Sequence, residues 1–367
     1  MHLKESNRRF LVLKRIVLTG GGTAGHVTPN IALIPELKKE GWDIHYIGTE
    51  NGIERSLISK EKDVTYHIVN SGKLRRYMDI KNFTDPFRVV HGVGQSINLI
   101  RKLKPNMIFS KGGFVSVPVV LGGWANRVPI IIHESDITPG LANKISFPFA
   151  SKVCTAFPET TKYFKGDKGI YTGIPLRKEL LTGDPEIGRK ICGFTDNKPV
   201  LMVMGGSLGA VAINKLIRNI LGRLISRFNV VHLCGKNNLD TSLMDVPQYK
   251  QFEYVSEELP HIMAMASLIV SRAGANSIYE FLALKKPNIL IPLPLSASRG
   301  DQILNAKSFE RQGFSKVLNQ DTLTEDELLT TILDVYANRH KYIDNMSKTD
   351  HTKSTEKILK LINEMTK

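Results

Sequence analysis

The chain contains two copies of an apolar strand that runs directly into a glycine-rich turn and the start of a helix. In the first copy residues 16–19 lead into the turn GGGTAGH at residues 20–26. In the second, residues 200–204 lead into GGSLGA at residues 205–210. Such a turn lets backbone N–H groups approach a phosphate, and the positive end of the following helix dipole points to the same place. Two copies half a chain apart predict an α/β protein with two Rossmann-like domains facing across a cleft.

The composition is typical of a globular protein with two α/β domains. At 367 residues the chain is too long for one ordinary core, and its hydrophobic content of 42% is ordinary. Its three cysteines have no metal-like spacing, and their odd number favours a reduced, cytoplasmic compartment over a disulfide framework. We expect neither a signal peptide nor a membrane span, because every apolar run is too short.

The net charge of +15 is unusually positive for a globular protein. Such a charge suits nucleic acid, an anionic membrane surface or acidic ligands. The sequence contains no helix-turn-helix, zinc-finger or aromatic-basic RNA motif, so we expect no nucleic-acid partner. A membrane surface and phosphorylated ligands remain.

Apolar runs alternate with helical-period segments almost from end to end, which predicts parallel sheets with right-handed crossovers. Gly173 and Pro175 interrupt this alternation. We therefore predict an N-terminal domain at residues 1–173 and a second domain at residues 174–350. Residues 351–367 are predicted to form an amphipathic helix that returns to the first domain.

The first glycine turn by itself leaves two interpretations open. Gly20, Gly22 and Gly25 satisfy the dinucleotide pattern G-x-G-x-x-G, and Glu50 could then hold a ribose. His26 stands where that pattern usually has a small or apolar residue, and the glycines could also serve only a tight turn. A third loop after a strand, SKGGF at residues 110–114, favours a cleft built from several loops.

Together with their neighbours, the loops resemble the MurG family of GT-B glycosyltransferases, which are β-N-acetylglucosaminyltransferases of bacterial cell-wall synthesis. The matching segments occur in family order and span nearly the whole chain. They are residues 20–27, 111–116, 133–144, 172–177, 205–210, 271–280 and 299–306. The resemblance implies transfer of N-acetylglucosamine from UDP-N-acetylglucosamine (UDP-GlcNAc) to the C4 hydroxyl of undecaprenyl-diphospho-N-acetylmuramoyl-pentapeptide. It implies that the first domain binds the acceptor and the second the donor.

The resemblance also implies the donor contacts. Arg177 and the backbone near Val255 would flank the uracil, and Glu280 would hold the ribose hydroxyls. A carboxylate can accept two hydroxyl hydrogen bonds, but taken alone Glu280 is better interpreted as a solvated helix residue. The remaining donor residues implied by the resemblance are Ser207 and Arg272 for the diphosphate and Asp301 and Gln302 for the sugar hydroxyls.

Two of these assignments have structural alternatives. Arg272 directly follows an apolar strand, where a buried cation without an anion would be costly, and this favours a ligand role. Asp301 could be only the N-cap of the helix that it precedes, and relatives have glutamine as an alternative there.

An inverting transfer needs a base near the nucleophile and stabilisation of the leaving diphosphate. His26 is the first candidate base because imidazole titrates near neutral pH, with a loop-organising hydrogen bond as its alternative role. Asp136 is the second candidate, although relatives often have asparagine there. The resemblance adds Thr23, Gly25 and Phe114 as substrate-binding residues. It implies no metal and no cofactor, since GT-B enzymes use a helix dipole and side chains instead.

The acceptor carries a diphosphate and a polyprenyl chain, which would account for the positive charge. Lys73, Arg75 and Arg76 supply cations, and Phe83 and Phe87 supply apolar contacts close by. This patch could lie on the anionic inner leaflet, which predicts a peripheral protein on the cytoplasmic side of the cell membrane. The alternative is a solvated loop followed by an ordinary core-facing helix.

Three other functions compete with this one. A diacylglycerol glucosyltransferase would keep the donor segments and alter the acceptor loops, whereas residues 112–116 and 133–144 match the muramoyl pattern here. A non-catalytic nucleotide-sugar-binding subunit would have lost His26 or the first glycine turn. A nicotinamide dehydrogenase explains one glycine turn and leaves the other segments unexplained.

Replacing Arg75 and Arg76 together by glutamate should weaken binding to vesicles that contain anionic lipid, because two attractive charges become repulsive. Vesicle sedimentation measures the binding, and activity on the lipid-linked acceptor should fall in parallel. The double lysine variant keeps both charges and serves as the control. Unchanged sedimentation of the glutamate variant with these vesicles would contradict the predicted membrane patch.

Overall fold

The computed structural model describes residues 13–72, 81–206 and 209–366, and for residues 81–87 it describes the backbone alone. The predicted membrane-patch residues Lys73, Arg75 and Arg76 and the predicted diphosphate residue Ser207 lie outside the described residues. The same holds for the side chains of Phe83 and Phe87.

The first domain is a seven-stranded parallel sheet in the order β3-β2-β1-β4-β5-β6-β7. Its strands are β1 (Arg15–Thr19), β2 (Asp43–Gly48), β3 (Val64–Ile68), β4 (Met107–Ser110), β5 (Ile130–Glu134), β6 (Lys152–Thr155) and β7 (Gly169–Tyr171). Its helices are α1 (Thr28–Lys39), α2 (Ile53–Ile58), α3 (Lys81–Leu103), α4 (Ser116–Ala125) and α5 (Leu141–Ser146). The central strands are buried on both faces, which is why they read as continuous apolar runs.

The second domain is a six-stranded parallel sheet in the order β10-β9-β8-β11-β12-β13. Its strands are β8 (Val200–Met204), β9 (Asn229–Leu233), β10 (Tyr249–Phe252), β11 (Ala266–Ser271), β12 (Asn288–Leu290) and β13 (Ser315–Val317). Its helices are α6 (Pro185–Cys192), α7 (Val211–Asn219), α8 (Leu221–Ile225), α9 (Leu259–Met265), α10 (Ala275–Ala283), α11 (Asp301–Arg311), α12 (Glu325–Ala337) and α13 (Arg339–Ser347). Apolar clusters cover both faces of each sheet.

The last helix, α14 (Ser354–Met365), packs against α1 of the first domain. Its Ile358 and Ile362 are fully buried in one apolar cluster with Leu37. The side-chain amide of Asn363 donates a hydrogen bond to Glu40 Oε2 at 2.9 Å. Helix α14 therefore packs on the first domain through an apolar face.

In both sheets the strand order reverses beside the first strand of the domain. β1 lies between β2 and β4, and β8 lies between β9 and β11. Loops that leave the carboxyl ends of neighbouring strands part at such a point, and the crevice between them is the usual ligand site of an open α/β sheet. The glycine turn at residues 20–26 lies at the first crevice, and Gly205 and Gly206, directly after β8, lie at the second.

Polar side chains connect the two domains beside these crevices. Asn305 of α11 donates from Nδ2 to Asp136 Oδ1 at 2.9 Å, and its Oδ1 accepts from the Ile137 N–H at 3.2 Å. The Ser308 hydroxyl donates to Glu159 Oε1 at 2.7 Å. Helix α11 therefore holds the loop after β5 in place from across the domain boundary.

Across the residues described, no helix combines the length and apolar character needed to cross a membrane.

The loop after β4 requires glycine at position 113. Gly113 has a φ of +83°, and a Cβ there would overlap the carbonyl oxygen of Gly21. Replacing Gly113 by alanine should therefore lower the free energy of unfolding by about 1–3 kcal/mol or more, since both strain and overlap oppose it. Thermal unfolding measures the effect.

Gly94 of α3 is the matched control, because a Cβ there meets nothing within 4 Å. Alanine at Gly94 should raise stability slightly, since glycine is costly inside a helix. Equal melting temperatures for the wild type and the Gly113 variant would contradict the prediction.

Candidate functional site

A cleft of about 530 Å³ lies between the two domains at the carboxyl ends of the strands. Many residues predicted from the sequence meet on its walls. They are Thr23, Gly25, His26, Asp136, Arg177, Val255, Glu280, Asp301 and Gln302. The cleft therefore joins the loops of the first domain to the predicted donor residues of the second.

Among the described residues, two predicted substrate-binding residues do not line this cleft. The guanidinium of Arg272 is buried and donates from Nη1 to the carbonyl oxygens of Ile291 and Pro292, at 3.0 and 3.3 Å. Phe114 is half-buried in the turn before α4. In this structure Arg272 ties the end of β11 to the chain that follows β12.

The first glycine turn has its early N–H groups already occupied. Gly21 N donates to Gly112 O at 3.3 Å, and Gly22 N donates to the buried carboxylate of Glu54 at 3.1 Å. Glu54 also accepts from Thr49 N at 3.1 Å. These donors are not free for a pyrophosphate, which counts against the dinucleotide interpretation of this turn.

His26 ends this turn and faces the cleft as a neutral imidazole. Its Nδ1 is buried and has no hydrogen-bond partner among the described residues. Burial, together with the nearby positive charge of Lys111, lowers the pKa of His26 to about 4. The ring is therefore uncharged at neutral pH and accepts a proton only weakly.

Asp136 lies opposite, in the loop after β5, where it is half-buried. Burial and the neighbouring Glu134 raise its pKa to about 6, while the hydrogen bond from Asn305 opposes that rise. Glu134 accepts three hydrogen bonds, from Asp136 N, Gly140 N and Asn143 Nδ2, at 3.0, 3.1 and 2.8 Å. These three bonds orient the loop around Asp136.

Glu280 lies in α10 with 9% of its surface exposed, so it is not a solvated helix residue. Burial raises its pKa to about 7, and the positive charge of Arg177 opposes the rise. A buried carboxyl group beside an open cleft, without a hydrogen-bond donor from the described residues, is suited to a ligand that brings its own donors.

Asp301 and Gln302 begin α11 at the floor of the cleft. The N-cap position belongs to Gly300, which has a φ of +83°, so Asp301 is the first helical residue and not the cap. Gln302 Oε1 accepts from Leu293 N at 3.1 Å, which leaves its side-chain NH₂ available as a donor.

Sequence reasoning missed two cations at this site. Lys111 is fully buried behind the cleft, and its Nζ donates to the Ser135 hydroxyl. Arg299 is exposed and borders the cleft, with its Nε 3.6 Å from Asp301 Oδ1. A charged residue directly after an apolar strand was the available signal for Lys111, as it was for Arg272.

A smaller cavity of about 230 Å³ adjoins the cleft. It is lined by Thr138, Pro139, Leu141, Lys144, Arg299 and Asp301. Arg299 and Asp301 border both cavities, so they mark the passage between them. The described residues contain no cluster of three or more His, Cys, Asp or Glu arranged to hold a metal ion.

Two family models match the chain, one on each domain. The glycosyltransferase family 28 N-terminal domain matches residues 16–155, and the glycosyltransferase family 28 C-terminal domain matches residues 200–362. The chain belongs to glycosyltransferase family 28, and within it to the MurG family. The resemblance inferred from the loop segments is thereby confirmed.

Curated relatives match over nearly the whole chain. A protein of Clostridium tetani (strain Massachusetts / E88) is 56% identical over 95% of this chain and 97% of its own length. One of Clostridium novyi (strain NT) is 56% identical, covering 95% and 98%. Both are named UDP-N-acetylglucosamine–N-acetylmuramyl-(pentapeptide) pyrophosphoryl-undecaprenol N-acetylglucosamine transferase.

Solved structures share the fold. Acinetobacter baumannii MurG superposes with a TM-score of 0.75 at 24% identity, covering 96% of this chain and 99% of that one. The calicheamicin glycosyltransferase CalG4 superposes with a TM-score of 0.69 at 14% identity, covering 97% and 98%. The predicted GT-B architecture of two parallel-sheet domains is confirmed.

The raised pKa of Glu280 predicts that the stability of the protein without donor depends on pH. The folded state holds the proton up to about pH 7, whereas the unfolded chain releases it near pH 4.5. Wild-type stability should therefore fall as pH rises through this window, by roughly 2–4 kcal/mol. Glu280→Gln has no carboxyl group that titrates at this position, so its stability should fall less over the same pH range.

Melting temperatures of both proteins between pH 4 and 8 measure this difference. The melting temperature of the Gln variant should rise relative to that of the wild type up to about pH 7, where the pKa of Glu280 lies. Above that pH the difference between the two melting temperatures should be constant. A constant difference across the range would show that the carboxyl group does not titrate in this way.

Proposed function

We propose that this protein transfers N-acetylglucosamine from UDP-GlcNAc to the C4 hydroxyl of undecaprenyl-diphospho-N-acetylmuramoyl-pentapeptide, with inversion at C1. The observation that carries the proposal is the cleft itself. It sets Asp136 and His26 of the first domain opposite Arg177 and Glu280 of the second. Relatives that are 56% identical over 95% of the chain bear the name of this activity.

The second domain, residues 174–350, would hold the donor. Glu280 as carboxylate accepts hydrogen bonds from the two ribose hydroxyls, and Arg177 and the backbone near Val255 flank the uracil. The proposal is supported by the burial of Glu280 beside Arg177 at the cleft wall. Bound ribose supplies the donors that this buried carboxyl group lacks among the described residues.

The donor diphosphate would lie at the turn after β8. Gly206 lines the cleft with a φ of +87°, and α7 begins just beyond this turn. The helix dipole favours an anion there, and Ser207 supplies a hydroxyl. We assign neutralisation of the leaving group to Arg299, which borders the cleft, and a supporting role to Arg272, whose Nη1 binds backbone carbonyls.

Gln302 and Asp301 would bind the sugar hydroxyls from the start of α11, and Thr23, Gly25 and Phe114 would contact the acceptor. A donor sugar between these two groups places its C1 near Asp136. The acceptor C4 oxygen then attacks C1, the bond from C1 to the diphosphate oxygen breaks, and the bonding electrons leave with UDP.

We assign the base to Asp136. A base with a pKa near the working pH combines ionisation with proton affinity, and Asp136 at about 6 meets that condition better than His26 at about 4. Asp136 would take the proton of the C4 hydroxyl as the new bond forms. His26 then acts as a neutral hydrogen-bonding group that orients the acceptor.

The first domain, residues 1–173, would bind the acceptor at the cytoplasmic face of the cell membrane, with α14 (Ser354–Met365) packed on it. The basic segment with Arg75 and Arg76 would contact the anionic inner leaflet. Support comes from the charge of +15 and from two large side chains beyond this segment, Val90 at 71% and Trp124 at 57% exposure. Such a protein would be peripheral.

UDP release from UDP-GlcNAc, with and without the lipid-linked muramoyl-pentapeptide, tests the function. The wild type should release UDP only with acceptor, and its rate should rise with pH through about 6, the pKa of Asp136. Asp136→Asn should lower kcat by about 10²-fold or more and abolish this rise, while donor binding stays unchanged. Asp167→Asn, at an exposed position of the same domain, is the control.

His26→Ala should lower kcat less and retain the rise with pH, because the titrating group is still present. The opposite ranking of the two variants would transfer the base role to His26. Donor binding without acceptor-dependent UDP release in the wild type would contradict the proposed function and favour a binding subunit.

A further inference from the structure

A buried lysine lies directly behind the acceptor side of the cleft. Lys111 follows β4, and its side chain is 1% exposed. Its Nζ donates to the hydroxyl of Ser135, and Ser135 lines the cleft. Removing an ammonium group from water costs several kcal/mol, so a buried lysine is expected where its charge interacts with other groups.

The groups that Lys111 acts on are carboxylates. Its hydrogen-bond acceptor, Ser135, is neutral and stands between Glu134 and Asp136 in the chain. Both acids favour the charged form of Lys111, although burial lowers its pKa to about 8. One buried cation therefore lies near the buried Glu134 and the half-buried Asp136, and charges are weakly screened in such an interior.

Besides the two acids, His26 and His133 lie near Lys111, Asn305 and Asp301 lie near Asp136, and the cation Arg299 acts on His26. His26, in the first glycine turn, is uncharged because burial and Lys111 lower its pKa. His133 Nε2 donates to Gly173 O at 2.8 Å, and burial holds the pKa of this ring well below its usual value. From α11, Asn305 donates to Asp136, while the negative Asp301 raises the pKa of Asp136.

Two acids as close as Glu134 and Asp136 repel when both are ionised, and burial adds to that cost. Glu134 is held by three hydrogen-bond donors, whereas Asp136 has one side-chain donor, from Asn305. Without a cation, Asp136 would be the acid that keeps its proton. A protonated Asp136 cannot accept the proton of an acceptor hydroxyl.

Resting on the proposed function, we propose that Lys111 is a positioning residue for the transfer reaction. Its ammonium group, held in place by the Ser135 hydroxyl, keeps Asp136 ionised beside Glu134. Asp136 is thereby ready to take the proton of the acceptor hydroxyl. Taking that proton neutralises Asp136, while Lys111 keeps its position against Ser135.

Lys111→Met tests this, since methionine fills a similar volume without charge. The rise of kcat with pH should move upward by about one unit from its wild-type position near 6, so kcat falls roughly tenfold at pH 5 but only about twofold at pH 7, and it recovers near pH 9. The KM for UDP-GlcNAc should not change. Lys111→Arg keeps the charge and should keep the rise near its wild-type position, and Ser135→Ala should give a smaller upward shift.

Lys286→Met is the matched control. Lys286 is a half-buried lysine of the second domain whose Nζ donates to Ala264 O and Ala266 O at 2.7 and 2.9 Å. Its loss should lower the melting temperature and leave the pH profile of kcat in place. A structural effect of removing a buried lysine is thereby separated from an effect on Asp136.

A Lys111→Met profile that coincides with the wild type would overturn the proposal. If Lys111→Met fails to fold by circular dichroism, Ser135→Ala decides, and an unmoved profile in that variant overturns it equally. In an Asp136→Asn background, Lys111→Met should have little further effect on kcat. Loss of acceptor-dependent UDP release in the wild type itself would instead contradict the proposed function.

Discussion

The structure depends on the burial of charge where parallel strands end. The carboxyl ends of β4 and β5 place the buried Lys111 and Glu134 near Asp136, which lines the cleft, and Glu280 lines the same cleft from the other domain. Burying such groups is costly unless hydrogen bonds or opposite charges compensate. The loops therefore supply groups that compensate the buried charges, as the three hydrogen-bond donors to Glu134 show.

Burial separates the proton affinities of groups that would otherwise be alike. It raises the pKa of Asp136 to about 6 and that of Glu280 to about 7, whereas it lowers the pKa of His26 to about 4. A histidine and an aspartate thereby exchange their usual order as bases. The same low dielectric lets one ammonium group, that of Lys111, act on several neighbours without touching them.

Most of the fold followed from patterns within short segments. The apolar runs and glycine turns predicted both sheets, and most of the predicted site residues line one cleft. The hydrogen bond that Glu54 accepts from Gly22 N could not be predicted in this way, because the two residues are 32 positions apart. Asn305 is a stronger example, since its bond to Asp136 spans 169 positions and two domains.

The sequence by itself determined the two Rossmann-like domains, the glycine turns and the family, because strand periodicity and turn chemistry are local properties. Only the tertiary structure decided which charges are buried and which groups meet. It placed Arg272 on backbone carbonyls, and it set Lys111 behind Ser135. Burial and proximity arise when distant segments pack together, and they alone set the protonation of Asp136.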